Sequence, residues 1–438
     1  MELVRQKDIA TAVCSGPGMV KQDENGRLTY KVFSGQCADG ANTPLAHWFN
    51  PGKVILSDDL YLLKATDIHG DTWEVKDTLP HVGTFVPGQP FVVHGTGSNI
   101  TRRKAFPFEL KGTIIELTFF DDFEYPCNTT TETERKVGGV SPGVGSSFDT
   151  AIIELGGHKV LFTRKDKTVH IRLESEERDD PHVFERTLIE SLQFSFAKPF
   201  RRASLDAWSG DTELLELSSR PMGTVHVRVQ SPIKIISIVR NDAFYNLMNY
   251  YFRHIKKAKV SQWHPISMHV YTVIESSEAS IDAQALGVSV AVEGMLNDAF
   301  GDIGLVDLEY ERSVSCANDA IASLPIEERH RDRMRGAIKS TLSPRATERL
   351  RQLAADGRVR EHHIRAWQNL RNRWAHGSRP YHWPYQKIMD HIQTVTVLFN
   401  CLVFAAIGYE GAFTDYSEPV WYDRPYPESM RWFQGATR

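Results

Sequence analysis

The stretch Arg371-Asn372-Arg373-Trp374-Ala375-His376-Gly377 decides how this chain is read. It lies inside a run from Glu361 to Pro380 in which Ile364, Trp367, Leu370 and Trp374 recur at spacings of three and four. Side chains so spaced share one face of a helix. Gly377 suits the left-handed position that follows a last helical residue. Pro380 has no N–H with which to continue the ladder. The pattern predicts an amphipathic helix with Arg371, Asn372 and His376 at its exit.

Those three residue types form a small chemical kit. Arginine is a permanent cation whose planar fork fits phosphate oxygens. Histidine gives or takes a proton near neutral pH. Asparagine orients a substrate or a neighbour by hydrogen bonds. Such a set suffices to cleave RNA without a metal. A structural reading stands beside it: Arg371 salt-bridges the helix, and His376 is a favoured cation at a helix C-terminus. One helix does not assemble the kit unaided, since positions five apart differ by about 140° in direction. Either the last turn unwinds at Gly377, or two copies of the motif meet across a twofold axis.

Arg371-Asn372-x-x-x-His376 resembles the Arg-x(4 to 6)-His motif of the HEPN superfamily, in its Arg-Asn form. The wording from Leu370 to Gly377 and a β-rich leader are similar to the ApeA-like branch of bacterial anti-phage defence proteins. The likeness covers roughly 240 to 412; before 235 it is one of layout only. It implies an all-helical domain that dimerises and cleaves RNA with neither metal nor cofactor. The 2′-hydroxyl would attack the adjacent phosphorus, leaving a 2′,3′-cyclic phosphate and a 5′-hydroxyl. Arg371, His376 and Asn372 would be catalytic, Glu293 supporting, and Arg373 and Arg379 would touch the RNA. The implied role is abortive infection, with a phage-derived trigger sensed by the N-terminal region.

Working outward from the motif, Ser280 to Phe300 predicts a helix with a wide apolar face: Val288, Ala291, Val292, Met295, Leu296, Ala299 and Phe300. Glu293 borders that face, in wording (Val292 to Leu296) similar to an acidic position of the HEPN branch. A half-buried carboxylate is costly unless paired. It either pairs with Arg371 or points to solvent. Asn241-Asp242 followed by Phe244, Leu247, Met248, Tyr251, Phe252 and Ile255 marks another capped helix. Val270 to Ile274 fits a strand or a buried helical piece. Between 325 and 379 fourteen Lys and Arg face six Asp and Glu, an excess hidden by a net charge of −4 for the whole chain. Arginine-rich surface suits phosphate contact, although a charge run is also an ordinary solvated face. Val395 to Ile407 is apolar nearly all round. It is shorter than the ~20 residues that span a bilayer, and Asn400 interrupts it. A core or dimer-face helix is expected, with no membrane. The aromatic tail 413–438 should pack back on a domain or on a second subunit.

Residues 1–235 read as β-rich. Strand candidates are Leu28–Phe33, Val54–Leu56, Phe91–Val93, Thr113–Phe120, Lys159–Phe162, Val169–Leu173, Leu192–Phe196 and Val225–Val229. Short runs broken by Gly, Pro, Asn and Asp suggest a sandwich or barrel-like region rather than βαβ units, in one or two subdomains. Pro126 to Ser147, rich in Gly and Thr, reads as a flexible loop. Lacking Gly-Lys-Ser/Thr, it is no phosphate-binding loop. The expected class is α+β: a regulatory β-rich region 1–235, a helical domain 236–412 and the tail. Five dispersed cysteines among 438 residues argue against a disulfide framework and a zinc site, and for a reducing cytoplasm. Met1 to Ala10 has no apolar core of a signal peptide. Rival functions are a non-catalytic RNA- or partner-binding sensor, and a carbohydrate-active site using Asp121 and Asp122. The latter is weak, because neighbours on a strand face opposite ways.

Overall fold

A computed structural model describes residues 1–34, 56–82, 91–134, 144–165, 168–178, 180–220, 228–236, 241–260, 262–304, 308–342, 345–374, 384–418 and 420–427. The architecture is α+β, an antiparallel β-rich region followed by a helical one. The chain divides into two compact units. The first holds Met1–Glu185, Phe200–Thr224 and Ile236–Arg240; the second holds Arg186–Pro199, Val225–Ile235 and Asn241–Arg438.

The β unit contains β1 (Glu2–Arg5), β2 (Asp8–Ser15), β3 (Gly18–Gln22), β4 (Leu28–Ser34), β5 (Tyr61–Thr66), β6 (Thr72–Val82) and β7 (Phe91–Gly97). It continues with β8 (Asn99–Phe119), β9 (Thr129–Glu134), β10 (Val144–Leu155), β11 (His158–Lys165), β12 (Thr168–Ser175) and β13 (Arg202–Ser218). These strands join one hydrogen-bonded sheet. Its spine is the pair β8 and β13, which runs from Phe119↔Arg202 to Asn99↔Ser218 with register shifts after Arg202 and on both sides of Gly210. Two glycines kink that spine: Gly112 at φ +90° and Gly210 at φ +61°. A Cβ on Gly112 would meet the Ser175 carbonyl oxygen at 2.1 Å, so only glycine fits there. The first half of β8 pairs with β6, the second with β12. Alternating inward residues such as Tyr30, Val32, Leu63 and Val93 build the core under the first half.

Two expectations are corrected in this region. Thr129 to Ser147 is not simply loop: β9 pairs β10 from Glu134↔Val144 to Thr129↔Thr150. β-branched threonines favour a pleated strand, and that outweighs the polar composition. The glycines 138, 139 and 143 lie outside the described residues. Leu192–Phe196 is not a strand but the end of α1 (Pro181–Phe196). Pro181 suits a first helical position, and Asp180 Oδ1 accepts from the His182 N–H at 2.9 Å. The last turn and a half of α1 is buried on every side, so it shows no helical period to read. Of two other strand candidates, Val54–Ile55 and Val225–Val227 lie outside the described residues.

The helical unit takes the second part of α1, then α2 (Asp242–Ala258), α3 (Pro265–Glu278), α4 (Ile281–Asp298), α5 (Leu308–Ala322), α6 (Glu328–Lys339), α7 (Ala346–Ala355), α8 (Glu361–Trp374) and α9 (Tyr385–Ile407). A hairpin of β14 (Gly411–Asp415) and β15 (Tyr422–Tyr426) closes it. The caps follow from sequence: Asn241 accepts from the Phe244 N–H and Ser280 from the Ala283 N–H, each at 3.1 Å. Val270–Ile274, open between strand and helix, is helical in α3. Among its described side chains α5 buries only two large apolar ones, Val314 and Ile321. That stripe is too thin for periodicity to mark. α9 is the helix, among the described residues, that is long and apolar enough to cross a membrane by length and composition. Of its apolar window 67% is buried inside the unit. Tyr426 is buried against Phe404, and its hydroxyl donates to the Cys401 carbonyl at 2.9 Å.

Candidate active site

The site begins with why α8 lies where it does. Ile364, Trp367 and Leu370 are buried on its inner face. Trp367 also donates its indole N–H to the Ser289 carbonyl of α4 at 3.2 Å. Burying an indole while satisfying its one donor locks the rotation of α8 against α4. At the other end the Arg360 backbone N–H donates to His363 Nδ1 at 3.4 Å, and the Arg360 guanidinium reaches the buried Asp415 of β14 at 3.1 Å. The last turn of α8 is therefore presented by a helix pinned at its start and at its middle.

On that turn Arg371 meets Glu293 of α4 through two hydrogen bonds. Nε donates to Oε2 at 3.1 Å and Nη2 to Oε1 at 2.8 Å. Of the two readings of Glu293, pairing is the one found. The guanidinium carbon stands 5.6 Å from the centre of the Trp367 ring, within cation–π range. The Glu293 hydrogen bonds raise the already high pKa of Arg371. Both side chains remain about one third exposed, 36% and 37%. Water therefore screens the pair, and its contribution to stability is about 0–1 kcal/mol. The arrangement orients a cation rather than building a core.

Asn372 is exposed beside Arg371, and Arg373 is half-buried. His376 and Arg379 lie outside the described residues. Another histidine lies near this end of α8: His391 of α9, beside Arg373. Burial holds His391 below the usual imidazole range, and Lys387 and Arg373 push in the same direction. No motif spacing marks His391, because it belongs to the next helix. Trp367 was legible as core, but its second role as a face under Arg371 was not.

The basic run between 325 and 379 divides on inspection. Arg349 is buried and holds the end of α4, donating to the Leu296 carbonyl at 3.2 Å and Asn297 Oδ1 at 2.8 Å. Arg335 donates to Asn318 Oδ1 at 3.1 Å. These are internal contacts. Arg329, Arg333 and Lys339 are exposed on α6, a helix with no buried residue. Part of the charge is thus structural and part is available to a polyanion.

The rival pair in the β unit does not converge. Asp121 lies 3.3 Å from Arg220 and Asp122 2.9 Å from Arg164. Among the described residues no three His, Cys, Asp or Glu side chains gather as a metal site would need. Cys14, Cys127 and Cys401 are buried and Cys316 is exposed, none of them in a disulfide; Cys37 lies outside the described residues. Comparison with protein-family models, with curated proteins and with solved structures finds no match.

Proposed function

We propose that the chain is a metal-independent endoribonuclease of the HEPN type, acting in the cytoplasm in anti-phage abortive infection. The observation that carries the reading is the end of α8. A guanidinium held in two hydrogen bonds, stacked on a buried indole and one third exposed, is followed by the Asn372 and His376 of the motif. In the reaction, His376 moves the proton of the attacking 2′-hydroxyl. Arg371 offsets charge growing on the non-bridging oxygens. Asn372 positions the phosphate, with Arg373 and Arg379 along the strand. Glu293 fixes the plane of the Arg371 fork. A homodimer through the helical unit would bring the arginine of one copy to the histidine of the other. The β unit would restrain the nuclease and sense the trigger.

One observation favours a second reading. Arg371 already gives two donors to a carboxylate, which compensates its charge. A charge-compensated guanidinium is what a binding or structural helix needs, so the rival is a HEPN-like bundle that holds RNA or a partner without cutting it. Incubation with matched RNA and DNA strands in EDTA separates the two. The nuclease leaves DNA intact and yields RNA fragments ending in 2′,3′-cyclic phosphate. Retention of uncut RNA on the protein supports the binder. Activity lost to EDTA and restored by one divalent ion would defeat the proposal.

A further inference from the structure

The β unit carries a cavity of about 490 Å³ on one face of the sheet formed by β6, β8 and β13. That is the size of a small-molecule site, roughly 300–1,000 Å³. Strand alternation puts Thr72, Glu74 and Lys76 of β6 on this face together with Asn99, Thr101 and Arg103 of β8. Glu216 of β13 forms the floor, and His182 of α1 stands at the edge.

The floor is finished. Glu216 is 95% buried, with 5% of its surface exposed. Its Oε1 accepts from Asn99 at 2.9 Å and from the Arg202 guanidinium, and its Oε2 accepts from Thr101 at 3.4 Å. Arg202 turns its other arm to Glu185 at 2.8 Å. A buried carboxylate so compensated neither repels an anion nor needs a cation of its own.

The rim is not finished. Other cations of these strands are paired: Arg102 with Glu213 at 2.9 Å, and Lys104 with Asp71 at 3.5 Å. Lys76 and Arg103 face the cavity with no carboxylate partner among the described residues. His182, with Glu185 at 3.6 Å, adds a third basic group. Against these stands Glu74, which also has no partner there. Among the described residues the walls hold no aliphatic side chain and no ring but the His182 imidazole. A nucleobase would find nothing to stack on. A body of hydroxyl groups would find Thr72 and Glu74.

We propose that this cavity binds a small hydroxylated phosphate monoester of the sugar-phosphate class, with Lys76 and Arg103 on the phosphate and Thr72 and Glu74 on the hydroxyls. Charge-assisted contacts from a forked guanidinium are the strong ones for such a group. The site lies wholly within the β unit and is independent of the nuclease reading.

Calorimetry on the full chain tests this with four probes: ribose 5-phosphate, ribose, inorganic phosphate and AMP. Ribose 5-phosphate should bind saturably at one site per chain, more tightly than phosphate, with ribose silent. Arg103→Ala and Lys76→Ala should each weaken it about 10-fold or more. Both residues are exposed, so the variants should keep the fold. Lys104→Ala, a paired cation of β8, should leave the affinity unchanged. The proposal fails if ribose 5-phosphate does not saturate at millimolar concentration, or if the Arg103 and Lys76 variants bind as well as the parent. It also fails if AMP binds tenfold more tightly than ribose 5-phosphate, which would show a base site.

Discussion

Two carboxylate–guanidinium pairs, one in each unit, differ in a way that separates structure from function. The side chains of Glu216 and Arg202 in the β unit are 7% and 10% exposed. Glu293 and Arg371 of the helical unit are 37% and 36% exposed. The buried pair recruits Asn99, Thr101 and Glu185, because a charge taken out of water must be compensated. Among the described residues the exposed pair adds only a tryptophan face, since an exposed charge keeps its access to solvent. A pair built to hold a sheet face is closed; a pair built to present a cation is open on one side.

The comparison breaks first at the buried pair. Arg202→Ala leaves Glu216 and Glu185 without their cation, and should cost about 3–5 kcal/mol. Urea unfolding monitored by circular dichroism measures this; a cost below that of a surface substitution would mean the network is not structural.

Acid titration gives a smaller, signed effect. Burial pushes the Glu216 carboxyl up, but Arg202 and Asn99 outweigh it, and the net pKa lies below the ordinary carboxylate value. Its contribution is present above the unfolded pKa and is lost as pH falls through the depressed one. Glu190 of α1 has the opposite sign. It is fully buried, accepting from Ser267 and from the His264 N–H at 3.2 Å, and burial raises its pKa. Its contribution is full below the ordinary glutamate value and declines as pH rises through the raised one. Melting temperature against pH should therefore respond oppositely to the two changes. Glu216→Gln removes a loss on the acid side, and Glu190→Gln removes a decline toward neutrality. Curves that shift in parallel would contradict the assignment.

The smallest stability effect belongs to the open pair. Glu293→Gln should change stability by no more than about 1 kcal/mol while lowering RNA cleavage clearly, because the fork loses its second anchor. A large loss of stability with cleavage unchanged would make Glu293 a core residue instead.

The sequence made the open pair legible and hid the closed one. Glu293 borders a clear apolar stripe and Arg371 belongs to a motif, so each announces itself within one helix. Glu216 and Arg202 sit on the same long strand, β13, with no motif. Their meeting depends on the bend of β13 at Gly210 and on partners from β8 and α1, which no local pattern encodes. The same physics explains the helices. α4 and α8 have one wet face and one dry face, hence a period; the end of α1 is dry all round and looked like a strand. The Thr-rich β9 looked like loop because composition outspoke propensity. His391 joins the neighbourhood of Arg373 only through the packing of α9 on α8.

In the proposed nuclease Arg371 and His376 act on one transition state. Cleavage of a labelled RNA by the full chain, with Arg371→Ala, Arg371→Lys, His376→Ala and the double variant, tests it directly. Each variant is first shown folded and of parental oligomeric state by circular dichroism and gel filtration. Loss of the proton shuttle should cost about 10²–10⁴ in rate, and loss of the charge-stabilising donor about 10²–10³. Lysine should not rescue, since a point charge lacks the fork. The double variant should be little worse than either single one, as groups serving one step are not additive. Folded Arg371→Ala and His376→Ala proteins that cut RNA at the parental rate would contradict the account and leave α8 a structural helix.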